Sequence, residues 1–327
     1  MTAPVAMTKF VRPHDVAEAI AVRRENADSR FIAGGTDLMV NIRHGIQSPS
    51  ALIDLTGIDE MAAIEVGDSA IRIGAGVTIA ALARHAHIGA IYPAIVQAAE
   101  QIAAPAHRTL GTVGGNLCLD TRCIYYNQSE WWRSANGYCL KRQGEVCHVA
   151  PQGRHCHAAF TGDLAPALLA LDAAVEIAGG FGRRRIPLAE MYVEDGRAHL
   201  KLAHDELIVA VHVPVRPLRS AYAKVRLRGA IDYPLAGVAV ALAADRGAVT
   251  SLRIGITGTN SRPFVVTGTD DYVGRPIDDK TLQDIDRLVQ KQVQPMRTTI
   301  TSAHYRRLAA AALARRLVAQ LFQQATA

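Results

Sequence analysis

Five cysteines, Cys118, Cys123, Cys139, Cys147 and Cys156, share one stretch of a chain of 327 residues, and no thiol lies outside it. Sulfurs confined in this way do local chemistry rather than staple a fold. Fifteen residues separate Cys123 from Cys139, seven separate Cys139 from Cys147, and eight separate Cys147 from Cys156. These gaps match neither a C-x-x-C zinc ribbon nor the tight run of a bacterial ferredoxin. Four thiolates can hold an iron–sulfur cluster at any spacing that a folded loop allows, and one cysteine is then spare, most simply Cys118. Zinc is the competing metal, with His148, His155 and His157 as substitute ligands, and free thiols in a surface loop are the third reading. The segment also carries Tyr125, Tyr126, Trp131, Trp132, Gly137, Gly144 and Gly153. It reads as a long insertion that has no core without an organising centre. Both tryptophans of the chain lie in it, so its fold must bury or dock them.

Two glycine loops are the second chemical feature. In Ala33-Gly34-Gly35-Thr36-Asp37 and in Gly111-Thr112-Val113-Gly114-Gly115-Asn116, a glycine turn opens a helical pattern. Such a turn lets backbone N–H groups face a pyrophosphate with no side chain in the way. Glycine pairs also make ordinary turns, so each loop alone is a weak indication and the two together a stronger one. Gly74-Ala75-Gly76 begins like G-x-G-x-x-G but puts Ile79 where the third glycine belongs, which argues against a nicotinamide Rossmann domain. A non-Rossmann flavin site, holding an extended FAD between two loops, fits better.

The elements that must position these loops follow from periodicity and punctuation. His14 to Arg24 predicts a helix. Arg30 to Ala33, the first glycine loop and Leu38 to His44 predict strand, turn and helix. Ala51 to Leu55 predicts a strand, and Ile64 to Val66 with Ala70 to Ile73 a hairpin around Gly67-Asp68-Ser69. Thr78 caps a predicted helix Ile79 to His87, and Pro93 opens one running to Gln101. Leu164 to Leu171 reads as a buried helical turn or two, and Val175 to Ile177 pairs with Arg184 to Ile186. Leu207 to Val213 is a strand ended by Pro214, and Val215 to Arg219 is a boundary. Three strands follow, Tyr222 to Leu227, Val238 to Leu242 and Leu252 to Ile256, and then two helices. The last, Ser302 to Gln323, turns Leu308, Ala312, Leu317 and Leu321 toward a core.

Length and composition frame this as two or three α+β subdomains. Hydrophobic residues make up 49% and charged residues 20%, and no apolar run approaches membrane-spanning length. The first ten residues lack a signal-peptide pattern, so the expectation is a soluble cytoplasmic protein, where clustered cysteines bind metal or do redox work. A net charge of +6 is spread over scattered groups, Arg183 to Arg185, Arg306 and Arg307, and Arg315 and Arg316. With no aromatic interleaving or nucleic-acid motif, these read as solvated faces or subunit contacts rather than a nucleic-acid site. Attraction of an acidic electron carrier is a more specific use for the charge.

Together, Ala33 to Asp37, Thr112 to Asn116, Gly162-Asp163-Leu164-Ala165-Pro166-Ala167 and Tyr222-Ala223-Lys224 occur in the order seen in FAD-binding medium subunits of the xanthine oxidase and carbon monoxide dehydrogenase family, which the chain resembles over nearly its whole length. Most such subunits lack the cysteine insertion. With Asn127-Gln128-Ser129-Glu130-Trp131-Trp132-Arg133, it resembles that of the beta subunits of 4-hydroxybenzoyl-CoA reductases. The resemblance implies an α+β fold. A two-part, non-Rossmann FAD domain of the PCMH or vanillyl-alcohol-oxidase type would span residues 1–219, divided at 55 and 56, with the iron–sulfur insertion at about 118–158. A C-terminal domain of the CO dehydrogenase flavoprotein type would span 220–327.

It also implies a heterotrimeric molybdenum enzyme, as a dimer of trimers. A large subunit would carry Mo-molybdopterin and the aryl-CoA, and a small one two [2Fe-2S] clusters. This chain would supply FAD, a [4Fe-4S] cluster on Cys123, Cys139, Cys147 and Cys156, and no catalytic residue. Electrons from reduced ferredoxin would pass through it to remove the phenolic hydroxyl of 4-hydroxybenzoyl-CoA on the partner. Carried over by residue, Ala33, Gly34, Gly35, Thr36 and Asp37 with Gly111, Thr112, Val113, Gly114, Gly115 and Asn116 would line the pyrophosphate and ribityl part. Asp163 would accept a hydrogen bond from FAD, Ile102 and Ile208 would pack on its rings, and Lys224 would approach the isoalloxazine. Ile102 departs from the aromatic residue of some relatives. Two alternatives stand beside this: an FAD subunit of a related molybdenum hydroxylase serving NAD or quinone, and a zinc-stabilised assembly or binding protein without flavin.

Overall fold

The computed structural model describes residues 8–326 and contains three sheets, each built from a different stretch of chain. The first holds β1 (Lys9–Val11), β2 (Arg30–Ile32) and β3 (Ala51–Asp54), all parallel in the order β1-β3-β2, with helices α1 (Val16–Glu25) and α2 (Leu38–Arg43) as crossovers. α1 starts at Val16 rather than His14 because Asp15 caps it, accepting from Glu18 N, while Glu18 accepts in return from His14 N.

The second sheet, β4 (Ile64–Val66), β5 (Ala70–Gly74), β6 (Ala174–Gly179), β7 (Gly182–Pro187) and β8 (Leu207–Pro214), is antiparallel in the order β4-β5-β8-β6-β7. Between β5 and β6 run the helices α3 (Ile79–Ala83), α4 (Ala86–Ile91), α5 (Pro93–Gln101), α6 (Pro105–Arg108), α7 (Val113–Leu117), α8 (Glu130–Ala135) and α9 (Leu164–Ala170). Thr78 caps α3 as expected, but the predicted helix 79–87 breaks at Arg84, where His85 Nδ1 accepts from Ile88 N and starts α4. The short helices α6 and α8 have no long apolar stripe and were not predicted, whereas α7 is the helical turn that the second glycine loop opens.

The third sheet is the antiparallel set β12-β11-β10-β9, with β9 (Arg219–Val225), β10 (Ala236–Asp245), β11 (Ala248–Thr257) and β12 (Phe264–Val265), followed by α10 (Asp279–Gln292) and α11 (Ala303–Thr326). β10 shows how two cores are joined. Its period-two alternation sends Val238, Val240 and Leu242 into the core with α10 and α11, and the small Ala239 and Ala241 into the core with α5 and α9. α9 is buried at every residue, consistent with its sequence Leu-Ala-Pro-Ala-Leu-Leu-Ala.

Two expectations for the C-terminal region are corrected. Leu317 and Leu321 of α11 are buried, but Leu308 and Ala312 face solvent. The buried stripe runs instead through Arg306, Ala310, Leu313, Ala314, Leu317 and Leu321, because Leu308 and Ala312 each lie nine residues, about two and a half turns, before Leu317 and Leu321 and so on the opposite helix face from the one that meets β9 and β10. Arg306 is therefore no solvated charge. No helix among the described residues is long and apolar enough to cross a membrane.

Candidate functional site

The two glycine loops meet at the mouth of one cavity of about 660 Å³, within the range of small-molecule and cofactor sites. A methyl group on Gly34 would overlap the Leu110 carbonyl, so glycine here lets the first loop lie directly against the second. Gly35 has φ 66°, the left-handed region that glycine enters without strain. The second loop is fixed from below: Gly114 N donates to Ala75 O, Val113 N to Val77 O, and Ile79 N to Gly111 O. Thr112 caps α7 by accepting from Gly115 N at 3.2 Å. The near-Rossmann Gly74-Ala75-Gly76 is thus the floor of this loop, and Ala75 and Gly76 line the cavity.

The cavity wall includes Ala33, Gly34, Gly35, Thr36, Asp37, Ile102, Gly111, Thr112, Gly114, Gly115, Asn116, Asp163 and Ile208. Two residues of the expected set lie elsewhere. Val113 is buried beneath its loop. The Lys224 ammonium, fully buried, sits 2.8 Å from Asp163 Oδ1 and 3.2 Å from Asp232 O, behind the wall rather than on it. Asp163 also accepts from Tyr222 OH at 2.6 Å. Burial pushes the Asp163 carboxyl up and the Lys224 ammonium down, and the bond between them opposes both shifts. Asp163 occupies the N-cap position of α9 but makes no capping bond; Asn116 Oδ1 accepts from Leu164 N instead. That exchange leaves the carboxylate to its two partners and ties the second glycine loop to α9.

The donors and space fit a dinucleotide cofactor. Among the described residues, the amides of Gly34, Gly35 and Thr36 donate to no protein acceptor, as a phosphate-facing turn requires. Thr161 and His199, both on the wall and buried, carry an oxygen and a ring nitrogen that no protein group satisfies. Burial holds His199 down to about 4, so its ring is neutral at pH 7. Neither residue was foreseen, because a single buried histidine or threonine leaves no pattern in sequence.

Beside this cavity, Cys123, Cys139, Cys147 and Cys156 line a second, much smaller pocket of about 10 Å³, with Tyr125, Tyr126, Lys141, His148 and Ala158. All four cysteines are buried, and none is in a disulfide. The Tyr126 and Ala150 amides donate to the carbonyls of Cys123 and Cys147, both at 3.0 Å, and the Ala158 N–H donates to the sulfur of Cys156 at 3.4 Å. A bond to sulfur favours the thiolate. Cys147, accepting from Cys156, is drawn down to about 5, whereas burial pushes Cys123 up to about 11.

Cys118 is apart, on the wall of the large cavity, with its thiol pushed up to about 12 by burial. Among the described residues no three His, Cys, Asp or Glu side chains converge tightly enough for a single metal ion. The histidines of the zinc reading are engaged elsewhere: His148 Nε2 contacts the Tyr138 carbonyl, and His155 stacks on His157 with centroids 4.2 Å apart. In number and chemistry the donors fit an iron–sulfur cluster, for which the pocket of about 10 Å³ would have to widen.

The insertion is held by charged groups that sequence spacing did not reveal. Arg133, 1% exposed, donates to the carbonyls of Gln128, His44 and Gly45 and to Glu130, clamping α8 onto the turn after α2. Trp132 docks on Tyr125 with centroids 6.1 Å apart, but Trp131 is 77% exposed, so only one of the two tryptophans is docked within the chain. Replacing Arg133 by methionine leaves those carbonyls unsatisfied and should cost about 3 kcal/mol of local stability. Hydrogen exchange read over residues 43–47 and 128–134 will show this as lost protection; unchanged protection there would remove the clamp from the account.

Two ion pairs join the pockets. Asp37 of the first glycine loop pairs with Arg122, the neighbour of Cys123, and the Arg122 guanidinium lies 4.7 Å from the centroid of Tyr233 on the cavity wall. Asp120, also on that wall, lies 2.6 Å from Lys141 Nζ, which lines the cysteine pocket and sits over the Tyr126 ring.

A non-Rossmann α+β chain with a two-loop cofactor cavity is a flavin-binding subunit by architecture, and comparison with known proteins makes the class specific. Residues 6–216 match the FAD binding domain in molybdopterin dehydrogenase, and residues 220–321 the CO dehydrogenase flavoprotein C-terminal domain. The chain therefore belongs to the medium, FAD-binding subunits of the xanthine oxidase and CO dehydrogenase family of molybdenum hydroxylases. The aldehyde oxidoreductase FAD-binding subunit PaoB of Escherichia coli is 33% identical over 273 residues, 80% of this chain and 84% of that protein. The carbon monoxide dehydrogenase medium chain of Afipia carboxidovorans is 27% identical over 313 residues, 94% of each. The structure of reconstituted CO dehydrogenase from Oligotropha carboxidovorans matches with a TM-score of 0.80 at 26% identity, covering 97% of this chain and 98% of that one.

Proposed function

We propose that this subunit carries a [4Fe-4S] cluster on Cys123, Cys139, Cys147 and Cys156 beside its FAD, and serves a molybdenum reductase of the 4-hydroxybenzoyl-CoA type. The observation that supports this is the convergence of four buried cysteines on one pocket, with the Ala158 N–H donating to the Cys156 sulfur and a buried lysine on the pocket wall. FAD exchanges electrons singly or in pairs and a cluster exchanges one at a time, so the pair suits a relay from reduced ferredoxin to a partner.

In this reading the partners are a large Mo-molybdopterin subunit and a small subunit with two [2Fe-2S] clusters, assembled in the cytoplasm as a dimer of heterotrimers. The relatives support a multi-subunit setting through their own names, a FAD-binding subunit and a medium chain. The loops Ala33–Asp37 and Gly111–Asn116 hold the pyrophosphate and ribityl part, and Ile102 and Ile208 pack on the rings. Lys224 acts through Asp163, fixing its carboxylate, and Val113 acts from beneath its loop. The division of the chain at residues 219 and 220 belongs to the same proposal.

A second reading is an FAD subunit of a related molybdenum hydroxylase, with NAD or quinone as acceptor; the names of the relatives, an aldehyde oxidoreductase subunit and a carbon monoxide dehydrogenase chain, support its class. The purified complex separates the two. Iron and flavin analysis with EPR of the reduced complex should show a [4Fe-4S] signal beyond those of the [2Fe-2S] clusters, and reduced ferredoxin should drive loss of the 4-hydroxyl from 4-hydroxybenzoyl-CoA. Iron matching the [2Fe-2S] clusters alone, with turnover only toward NAD or quinone, would decide for the second.

A further inference from the structure

Arg306 is the largest unexplained charge in the fold. Its side chain is completely buried in α11, and its guanidinium donates to the carbonyls of Leu235, Met296 and Gly258 and to Thr298 Oγ1 at 3.0 Å. Every partner is neutral, and no carboxylate among the described residues pairs with it. A buried cation without a counter-charge is costly, so buried charges are paired or stand beside ions. The cysteine pocket is the nearest place where a counter-charge could form, because Thr298, a partner of Arg306, is hydrogen-bonded to the residue that follows Cys123. The connection runs through two hydrogen bonds: Thr298, which accepts from Arg306 through its hydroxyl, accepts from Ile124 N through its carbonyl at 2.9 Å, and Ile124 follows Cys123. A residue of the C-terminal sheet-and-helix unit is thus linked through Thr298 to the chain segment that carries Cys123. Lys141, on the pocket wall, is already balanced by Asp120.

We propose that Arg306 is a positioning residue whose fixed positive charge compensates an anionic metal–thiolate centre at Cys123, Cys139, Cys147 and Cys156 and raises its reduction potential. This rests on the iron–sulfur reading above and adds a residue to it. Free neutral thiols would leave the guanidinium uncompensated, whereas a cluster held by four thiolates carries net negative charge that grows on reduction. A nearby fixed cation favours the more negative, reduced state, so its removal shifts the potential downward.

The test uses the full chain, wild type, Arg306→Met and Arg306→Lys, with iron content and a redox titration of the cluster followed by EPR. Arg306→Met removes charge and fork; Arg306→Lys keeps the charge and loses the fork. The expected result is iron retained in all three, a more negative midpoint in Arg306→Met, and a midpoint in Arg306→Lys close to wild type. Iron retained by Arg306→Lys but lost from Arg306→Met supports the same role, since charge alone then separates them. An unshifted Arg306→Met midpoint, or equal loss of iron or equal shifts in both variants, assigns Arg306 to packing and overturns the inference. A wild-type chain that holds no iron overturns the cluster reading itself.

Discussion

Cys139→Ser is expected to abolish stable iron binding while leaving flavin in place. Cys139 is buried at a turn that closes on itself, with Arg142 N and Gly144 N both donating to its carbonyl. Tyr138 and Gln143, on either side, hold φ of 58° and 62°, the left-handed region that costs a side-chain-bearing residue about 1–2 kcal/mol. Strain of this kind persists where the surroundings demand it, and here it aims the sulfur into the pocket. Serine keeps the size of the side chain but replaces a soft thiolate by a hydroxyl, a poor ligand for iron in a sulfur-ligated cluster. Iron per chain should fall from four to near zero in the isolated subunit, with the flavin absorption bands unchanged, because Cys139 does not line the cavity. A Cys139→Ser subunit with full iron would remove this sulfur from the ligand set.

Gly34→Ala should have the opposite selectivity, releasing flavin and sparing iron. The added methyl meets the Leu110 backbone, which cannot swing aside like a flexible side chain, so one loop must move away from the other. Overpacking of this kind costs about 1–3 kcal/mol, which corresponds to a 5- to 150-fold weaker affinity if it falls wholly on the bound state. Fluorescence titration of the flavin-free chain with FAD measures this directly. Unchanged affinity in Gly34→Ala would mean that loop contact at Leu110 does not shape the site.

Much of this architecture could be read from local sequence because local chemistry determines it. Pro93 opens α5, Thr78 caps α3, Gly67-Asp68-Ser69 turns β4 into β5, and Pro214 closes β8. The glycine loops were legible for the same reason, as turns that a side chain would spoil. What could not be read was set by distant partners. Arg133 is buried because the carbonyls of residues 44 and 45 lie far away in sequence, and Arg306 because those of Leu235 and Gly258 do. A run of arginines looks solvated until the fold supplies acceptors. Lys224 likewise resembled a cofactor contact, but the burial of Asp163 and Tyr222 beside it drew its ammonium behind the wall. Leu308 and Ala312 resemble Leu317 and Leu321 in type and spacing, but the offset of nine residues between the two pairs puts them on opposite faces of the helix, and only the second pair faces the core.

The pairing of Asp37 with Arg122 and of Asp120 with Lys141 makes the flavin cavity and the cysteine insertion share one wall. On the proposed function this has a consequence for how the subunit matures. A wall that one prosthetic group orders is already ordered when the other arrives, so the two loading events are thermodynamically linked, and linkage is reciprocal. Whichever group enters first should raise the affinity for the second by the same factor that the second returns to the first. Half-loaded chains would still form, since each site keeps its own ligands, but would bind the remaining group less tightly, so an iron-free chain should titrate with FAD at a weaker Kd than an iron-loaded one.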